Sequence, residues 1–304
     1  MNYEGALTKM QTENGLPIQY YLVFPNDFLH VNQLLDRTIS INFLGFECLN
    51  CKLQKKIYRQ GFCYDCFFQV PQAAAWIINP ELSKAHLNIE DRNLEYEKSI
   101  QLRPHVVYLA NSSNVKIGVT RKSQIPTRWI DQGAHEAIEI VEVPNRYLAG
   151  IVEVSLKGHV SDKTNWRTML KNDIKDEDLV VWRNKLRPFI PEEAAAYFLE
   201  NNSETNLKFP VLKYPEKPRP LNLEKMLHPF LTLFLLLQQF TFTTDIATVT
   251  LRSNILSQSF NCFPGNNLSA NSSLNGHIKL LAWNQLFQLL THALAHPISI
   301  IDMR

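Results

Sequence analysis

At 304 residues, 45% hydrophobic and 20% charged, the chain has the composition of a soluble protein with room for two modest domains. A net charge of +2 and a pI near 8.2 exclude a strongly polycationic or polyanionic chain, so affinity for a phosphate backbone has to come from where cations cluster. The opening MNYEGALTKMQTENG has no cationic start followed by an apolar core, so it does not read as a secretory signal, and a cytoplasmic location is expected.

Residues 1–70 read as a β-rich module. IQYYLVF (Ile18 to Phe24) and ISINFLG (Ile39 to Gly45) have strand character, with NDFLHVNQLL expected as a short helix between them. CLNCKLQKKIYRQGFCYDC then supplies Cys48, Cys51, Cys63 and Cys66, four of only five cysteines; Cys262 stands alone and receives no role. Two Cys-x-x-Cys turns separated by 11 residues can present four thiolates tetrahedrally, the donor set of structural zinc, in a zinc-ribbon-like site. Four protein ligands leave no open position for a substrate, so the site is structural. A redox dithiol would need only one such pair.

The loop between the pairs carries Lys52, Lys55, Lys56 and Arg59, with Tyr58, Phe62, Tyr64, Phe67 and Phe68 close by. Basic groups interleaved with aromatics suit a surface that contacts phosphates and stacks on bases. They equally suit a small metal module, where cations offset a doubly negative tetrathiolate zinc and aromatics form the core.

Residues 71–104 read as a helical connector interrupted at Pro80. In residues 105–173, HVVYLA and NVKIGVT form a hairpin around the turn NSS. Gly118 marks a place where something approaches the backbone, and Arg121, Lys122 and Arg128 just beyond the strand suggest that it is anionic. EAIEIVEV (Glu136 to Val143) adds a third strand with one wet face. After Pro144 the period becomes helical, with Leu148, Ile151, Val152 and Leu156 on one stripe and Asn145 as cap. Residues 174–223 continue with helices in DEDLVVWRNKL and PEEAAAYFLENN, a strand in LKFPVLKYP and a proline-rich stop in PEKPRPLN. The fold class is α+β, with a small antiparallel sheet flanked by helices.

Residues 224–304 depart from this pattern. From Met226 to Arg304 only Asp245, Arg252, Lys279, Asp302 and Arg304 carry a formal charge, against 55 charged residues before them. FLTLFLLL is too short to span a membrane, which takes about twenty apolar residues. The tail has no helical stripe, and it reads as a frame-shifted or disordered segment outside the native unit.

The run VVYLA, KIGVT, Arg128, a helix with Glu153, and Asn165 resembles the GIY-YIG nuclease domain. That resemblance implies a hairpin carrying two tyrosine motifs, a following arginine, a helical metal-binding glutamate and a downstream asparagine. Tyr108 matches the first motif, Ile117 and Gly118 the end of the second, Arg128 the catalytic arginine, Glu153 the ligand of a divalent ion and Asn165 the asparagine. The glycine would then admit a phosphate, and Arg128 would stabilise its developing charge. The sequence departs from the pattern where His105, Val106 and Val107 replace the opening glycine's neighbourhood and Lys116 replaces the second tyrosine. A lysine acts as base only if burial or a nearby cation lowers its pKa, so proton abstraction is expected to fall on Tyr108.

More closely, IYRQGFCYDCFF through HVVYLANSSNVKIGVTRKSQIPTRWIDQGA to SDKTNWRTMLK is similar to the bacterial family called domain of unknown function 2797, over about Ile18 to Leu223. Three functional readings follow. The resemblance implies a zinc-containing protein that engages nucleic acid phosphates, DNA or RNA, and hydrolyses them with magnesium or manganese at Glu153. A second is a binding module that has kept the fold without the chemistry, and a third is a zinc-stabilised protein-interaction scaffold. No feature of the sequence sets an oligomeric state.

Overall fold

The computed structural model describes residues 2–6, 9–24, 26–34, 38–162, 165–210, 214, 216–218 and 245–252. In chain order the strands are β1 (Asn2–Ala6), β2 (Gln11–Glu13), β3 (Gln19–Val23), β4 (Phe28–His30), β5 (Thr38–Phe46), β6 (Ile57–Arg59), β7 (Phe62–Cys63), β8 (His105–Asn111), β9 (Val115–Arg121), β10 (Glu136–Val143), β11 (Thr205–Asn206) and β12 (Asp245–Arg252). The α-helices are α1 (Tyr64–Gln69), α2 (Leu94–Gln101), α3 (Thr127–Asp131), α4 (Arg146–Leu156), α5 (Trp166–Leu170), α6 (Leu179–Leu186) and α7 (Glu192–Ala195). None of the described helices is long and apolar enough to cross a membrane.

The amino-terminal strands β2, β3 and β4 form a meander. The helix expected over NDFLHVNQLL is instead β4 followed by a 3-10 turn, Val31–Leu34. The Asp27 carboxylate accepts from Phe28 N–H while its carbonyl accepts from Phe24 N–H, closing a hairpin rather than opening a helix. Asn32 then bonds both Tyr20 N–H and the Ile18 carbonyl across the meander. A separate sheet has the order β1-β12-β5, so β12, from the low-charge tail, pairs antiparallel with both neighbours. The remainder of that tail, and with it most of the segment read as frame-shifted or disordered, lies outside the described residues.

The connector over 71–104 is less helical than expected: four 3-10 turns, Pro71–Ala73, Ala75–Ile77, Pro80–Leu82 and Ala85–Leu87, precede α2. Pro71 and Pro80 sit at the starts of two of them, where a missing N–H costs nothing. The buried Glu97 carboxylate gathers the N–H groups of Asp91, Arg92 and Asn93. Arg92 donates to the carbonyls of Phe67 and Val70, satisfying the end of α1 and tying the cysteine module to the connector.

The hairpin, third strand and capped helix expected from sequence are present, as a sheet of order β11-β10-β8-β9 with α4 packed on it. Val107, Leu109, Ile117 and Ile138 meet Ala149 and Val152 of α4 in the main core. Asn145 caps α4 by accepting from Leu148 N–H. The third strand is not simply wet on one face. A bulge between Glu139 and Val141 interrupts the alternation, and Glu136, Glu139 and Glu142 are half-buried, with Lys122 bridging the last two.

Local helix and strand signals give way near β10. PEEAAAYFLENN is helical only over α7, because Tyr197 to Leu199 turns along β10: the Leu199 N–H donates to the Ile140 carbonyl and the Tyr197 carbonyl accepts from Glu142. LKFPVLKYP is not a strand among its described residues; β11 lies just before it, and Leu207 donates to the His135 carbonyl. Open backbone groups on a strand edge capture whatever segment reaches them.

Candidate functional site

Cys48, Cys51, Cys63 and Cys66 come together, with sulfurs that all lie within 4.8 Å of one another. The backbone does this with left-handed residues at Lys52, just after the first cysteine pair, and at Gln60 and Gly61, between β6 and β7. The Cys51 and Cys63 sulfurs are 4.0 Å apart, close to the separation of about 3.8 Å that tetrahedral zinc–sulfur bonds impose. Cys63 N–H and the Asn50 amide donate to the Cys48 and Cys66 sulfurs, each at 3.3 Å. Burial would push the Cys48 thiol up, but backbone donors from Cys63, Cys51 and Asn50 outweigh it and bring the group down to about 6. Four soft donors held close, one already favouring thiolate, fit a closed tetrahedral metal such as zinc.

The second constellation is built on β8, β9, α3 and α4. Tyr108 and Gly118 are cross-strand partners, as are Ala110 and Lys116, so Tyr108, Gly118 and Lys116 share a face. Gly118 was expected to admit a phosphate. The space is taken by Tyr108: a Cβ on Gly118 would lie 2.6 Å from the Tyr108 hydroxyl and 2.7 Å from Cζ. The glycine is required by a buried ring crossing the neighbouring strand.

The fully buried Tyr108 hydroxyl accepts from Gln132 at 2.6 Å and from Arg128, while Trp129 packs edge-on to its ring. Burial, only partly offset by Arg128 and Gln132, holds its pKa above the ordinary tyrosine value. Lys116 is buried too; burial and then the Arg128 guanidinium bring its pKa down to about 7. Burial and a neighbouring cation are the two conditions under which a lysine becomes basic near neutrality, and Lys116 has both. Glu153 is largely buried on α4, where burial raises its pKa and Lys157, at 3.6 Å, opposes that rise.

Arg146 went unrecognised in the sequence. It donates to the Trp76 and Ile77 carbonyls, feels Glu153, Arg128 and Arg121, and is pushed down to about 10 chiefly by burial. Its spacing of seven residues from Glu153, two helical turns on one face, was the available signal. Gln132, four residues after Arg128, was readable in the same way. Tyr108, Lys116, Arg128 and Glu153 thus fall within one electrostatic neighbourhood, linked through Tyr108 and Arg146. Asn165 is exposed and caps α5, its side chain accepting from Arg167 and Thr168 N–H. Among the described residues, Glu153 belongs to no group of three or more metal-ligating side chains.

These features define a mixed α+β protein with a four-cysteine centre able to hold a metal ion. The chain belongs to the family described as protein of unknown function (DUF2797), whose family model matches residues 36–231 and so spans both constellations. Neither the curated proteins nor the solved structures contain a match.

Proposed function

We propose that the protein is a zinc-containing, GIY-YIG-like nucleic-acid enzyme that engages a phosphate at Arg128 and hydrolyses it. The observation that carries this reading is the convergence of Tyr108, Lys116, Arg128 and Glu153 on one hairpin, the helix after it and α4. Arg128, only half-buried, can meet an anion from solvent and stabilise charge developing on it. Lys116, near neutrality, holds or takes the proton of the attacking water, and Tyr108, fixed by Gln132, orients Arg128. A divalent ion, magnesium or manganese, on the Glu153 carboxylate would supply Lewis acidity, its remaining ligands being water and phosphate oxygens. Zinc at the cysteines keeps the neighbouring module folded. A non-catalytic binding module is the second reading, favoured by the complete burial of Tyr108.

Purified protein incubated with plasmid, branched DNA and structured RNA, with and without magnesium or manganese, separates them. Arg128→Ala is expected to abolish cleavage and weaken binding roughly tenfold or more, as loss of a charge-assisted contact does. Glu153→Gln is expected to abolish cleavage and spare binding, because a bare carboxylate repels phosphate. Cleavage surviving both changes overturns the assignment, and binding without cleavage under every metal condition selects the binding module.

A further inference from the structure

We infer that the outer face of the cysteine module is a stacking platform for unpaired bases of a single-stranded nucleic acid. Tyr58, Tyr64 and Phe68 are 43%, 62% and 53% exposed, yet they are gathered: Tyr58–Tyr64 centroids lie 5.2 Å apart, Tyr64–Phe68 5.0 Å and Tyr58–Phe68 5.9 Å. None of the three belongs to the module's buried set, although Tyr58 and Phe68 both meet the half-buried Phe67. That buried set is Phe62, Val70, Ala73, Cys48, Cys63 and Cys66, with Cys51, Ile57 and Phe67 packed against it. Three large rings grouped in water on so small a module mark a binding surface rather than a core.

Charge points to the occupant. Lys52 pairs with Glu47 and Lys55 with Asp65, whereas Lys56 makes no ion pair among the described residues and Arg59 lies over the Tyr58 ring at 5.3 Å. Arg59 is thus already in a cation–π arrangement on the rings, and Lys56, exposed, lies two residues before Tyr58 in the chain. The rings meet mostly edge-to-face, at 72° for Tyr58 with Tyr64 and 61° for Tyr64 with Phe68, so they do not stack on one another. Bases in a duplex have their faces covered; an unpaired base offers its face to an aromatic ring. With two cations outside ion pairs among the described residues, and four cysteines whose metal complex would be negatively charged, stacking must outweigh phosphate attraction. The salt dependence of binding should be shallow, with a slope of roughly −1.4 in log–log terms for two single-strand phosphates.

The platform uses residues separate from the Arg128 cluster and does not rest on cleavage there. The test is fluorescence anisotropy of the full zinc-loaded chain with labelled single-stranded DNA and RNA oligonucleotides and the matching blunt duplex. Single strands of either sugar are expected to bind at least tenfold more tightly than duplex. Tyr58→Ala, Tyr64→Ala and Phe68→Ala should each weaken single-strand binding about tenfold, the order of one base–aromatic stack, with zinc content and melting temperature unchanged. Tyr64→Trp should restore binding and be quenched by the strand. Equal affinity for duplex, a steep salt slope, or single-strand binding indifferent to the three alanine variants overturns the proposal. So does loss of self-association in those variants without loss of binding, which would make the face a contact between copies. If Arg128→Ala leaves single-strand binding intact while Tyr58→Ala removes it, the platform stands although the phosphate site proposed at Arg128 fails.

Discussion

Between Cys48 and Ala73 the buried hydrophobic cluster comprises six residues, three of them cysteines, and the large aromatics Tyr58, Tyr64 and Phe68 remain in solvent. In β8 every residue from His105 to Asn111 is buried, and ionisable groups such as Lys116 and His105 are buried with the apolar ones. One region thus keeps its rings outside a cluster of four cysteines able to hold a metal ion, while the other has apolar surface to spare and buries ionisable groups. Small modules gain too little from burial to fold without a staple. A sheet packed on both faces can bear the cost of a buried amine, and that cost moves the amine's pKa.

Metal removal should break this comparison most sharply. Structural zinc contributes apparent binding free energies of about 10–16 kcal/mol in isolated modules, more than six buried residues replace. Chelation, or Cys63→Ser, is expected to abolish amide-exchange protection in β6, β7 and α1 while β8, β9 and β10 retain theirs. Protection in 57–69 that survives full metal removal, or zinc content unchanged in the serine variant, would show that the module folds on apolar packing alone.

The ease of reading the two regions differs for a related reason. The cysteine centre is confined to residues 48–66, so ligand spacing alone brings it into view. The hairpin and α4 were legible too, because β-branched runs around a polar turn and Asn145 ahead of a 3.6-residue stripe are local signals. What escaped was decided by distant contacts. Gly118 looks the same in sequence whether a phosphate or the Tyr108 ring lies over it. Arg146 gains its meaning from carbonyls seventy residues earlier. β12 takes its place from partners near the amino terminus, and Tyr197 to Leu199 leaves a helical pattern for the open groups of β10.

A smaller effect tests how the connector is held to the sheet. A Cβ on Gly150 would sit 2.2 Å from the Glu81 backbone nitrogen and 2.5 Å from the Pro80 carbonyl carbon, neither of which can swing aside. Gly150→Ala should therefore destabilise by about 1–3 kcal/mol, despite the roughly 1 kcal/mol that alanine gains in a helix. Denaturant unfolding measures it. A neutral or stabilising result would mean that the Pro80–Leu82 turn yields without cost.

The last effect concerns the ionisable amine inside the sheet; it is of similar size at pH 6 and falls away as pH rises. Lys116 has a folded pKa near 7, below its ordinary value of 10.5. Below about 7 the amine is protonated in both states, and the folded chain bears the full cost of a buried charge. Between about 7 and 10.5 the unfolded chain holds one more proton than the folded one, so stability rises with pH across that window. Lys116→Met keeps a chain of similar length and removes the proton. At pH 6 the variant should be more stable than the parent by roughly 1–3 kcal/mol, as when a buried charge is exchanged for an apolar side chain. The advantage should shrink steadily from pH 7 to 10. Urea unfolding at pH 6 and pH 9 decides the matter: a stability difference that is the same at both, or that grows with pH, would mean that Lys116 remains a charged amine in the folded sheet, able to attract a phosphate and unable to take the proton of an attacking water.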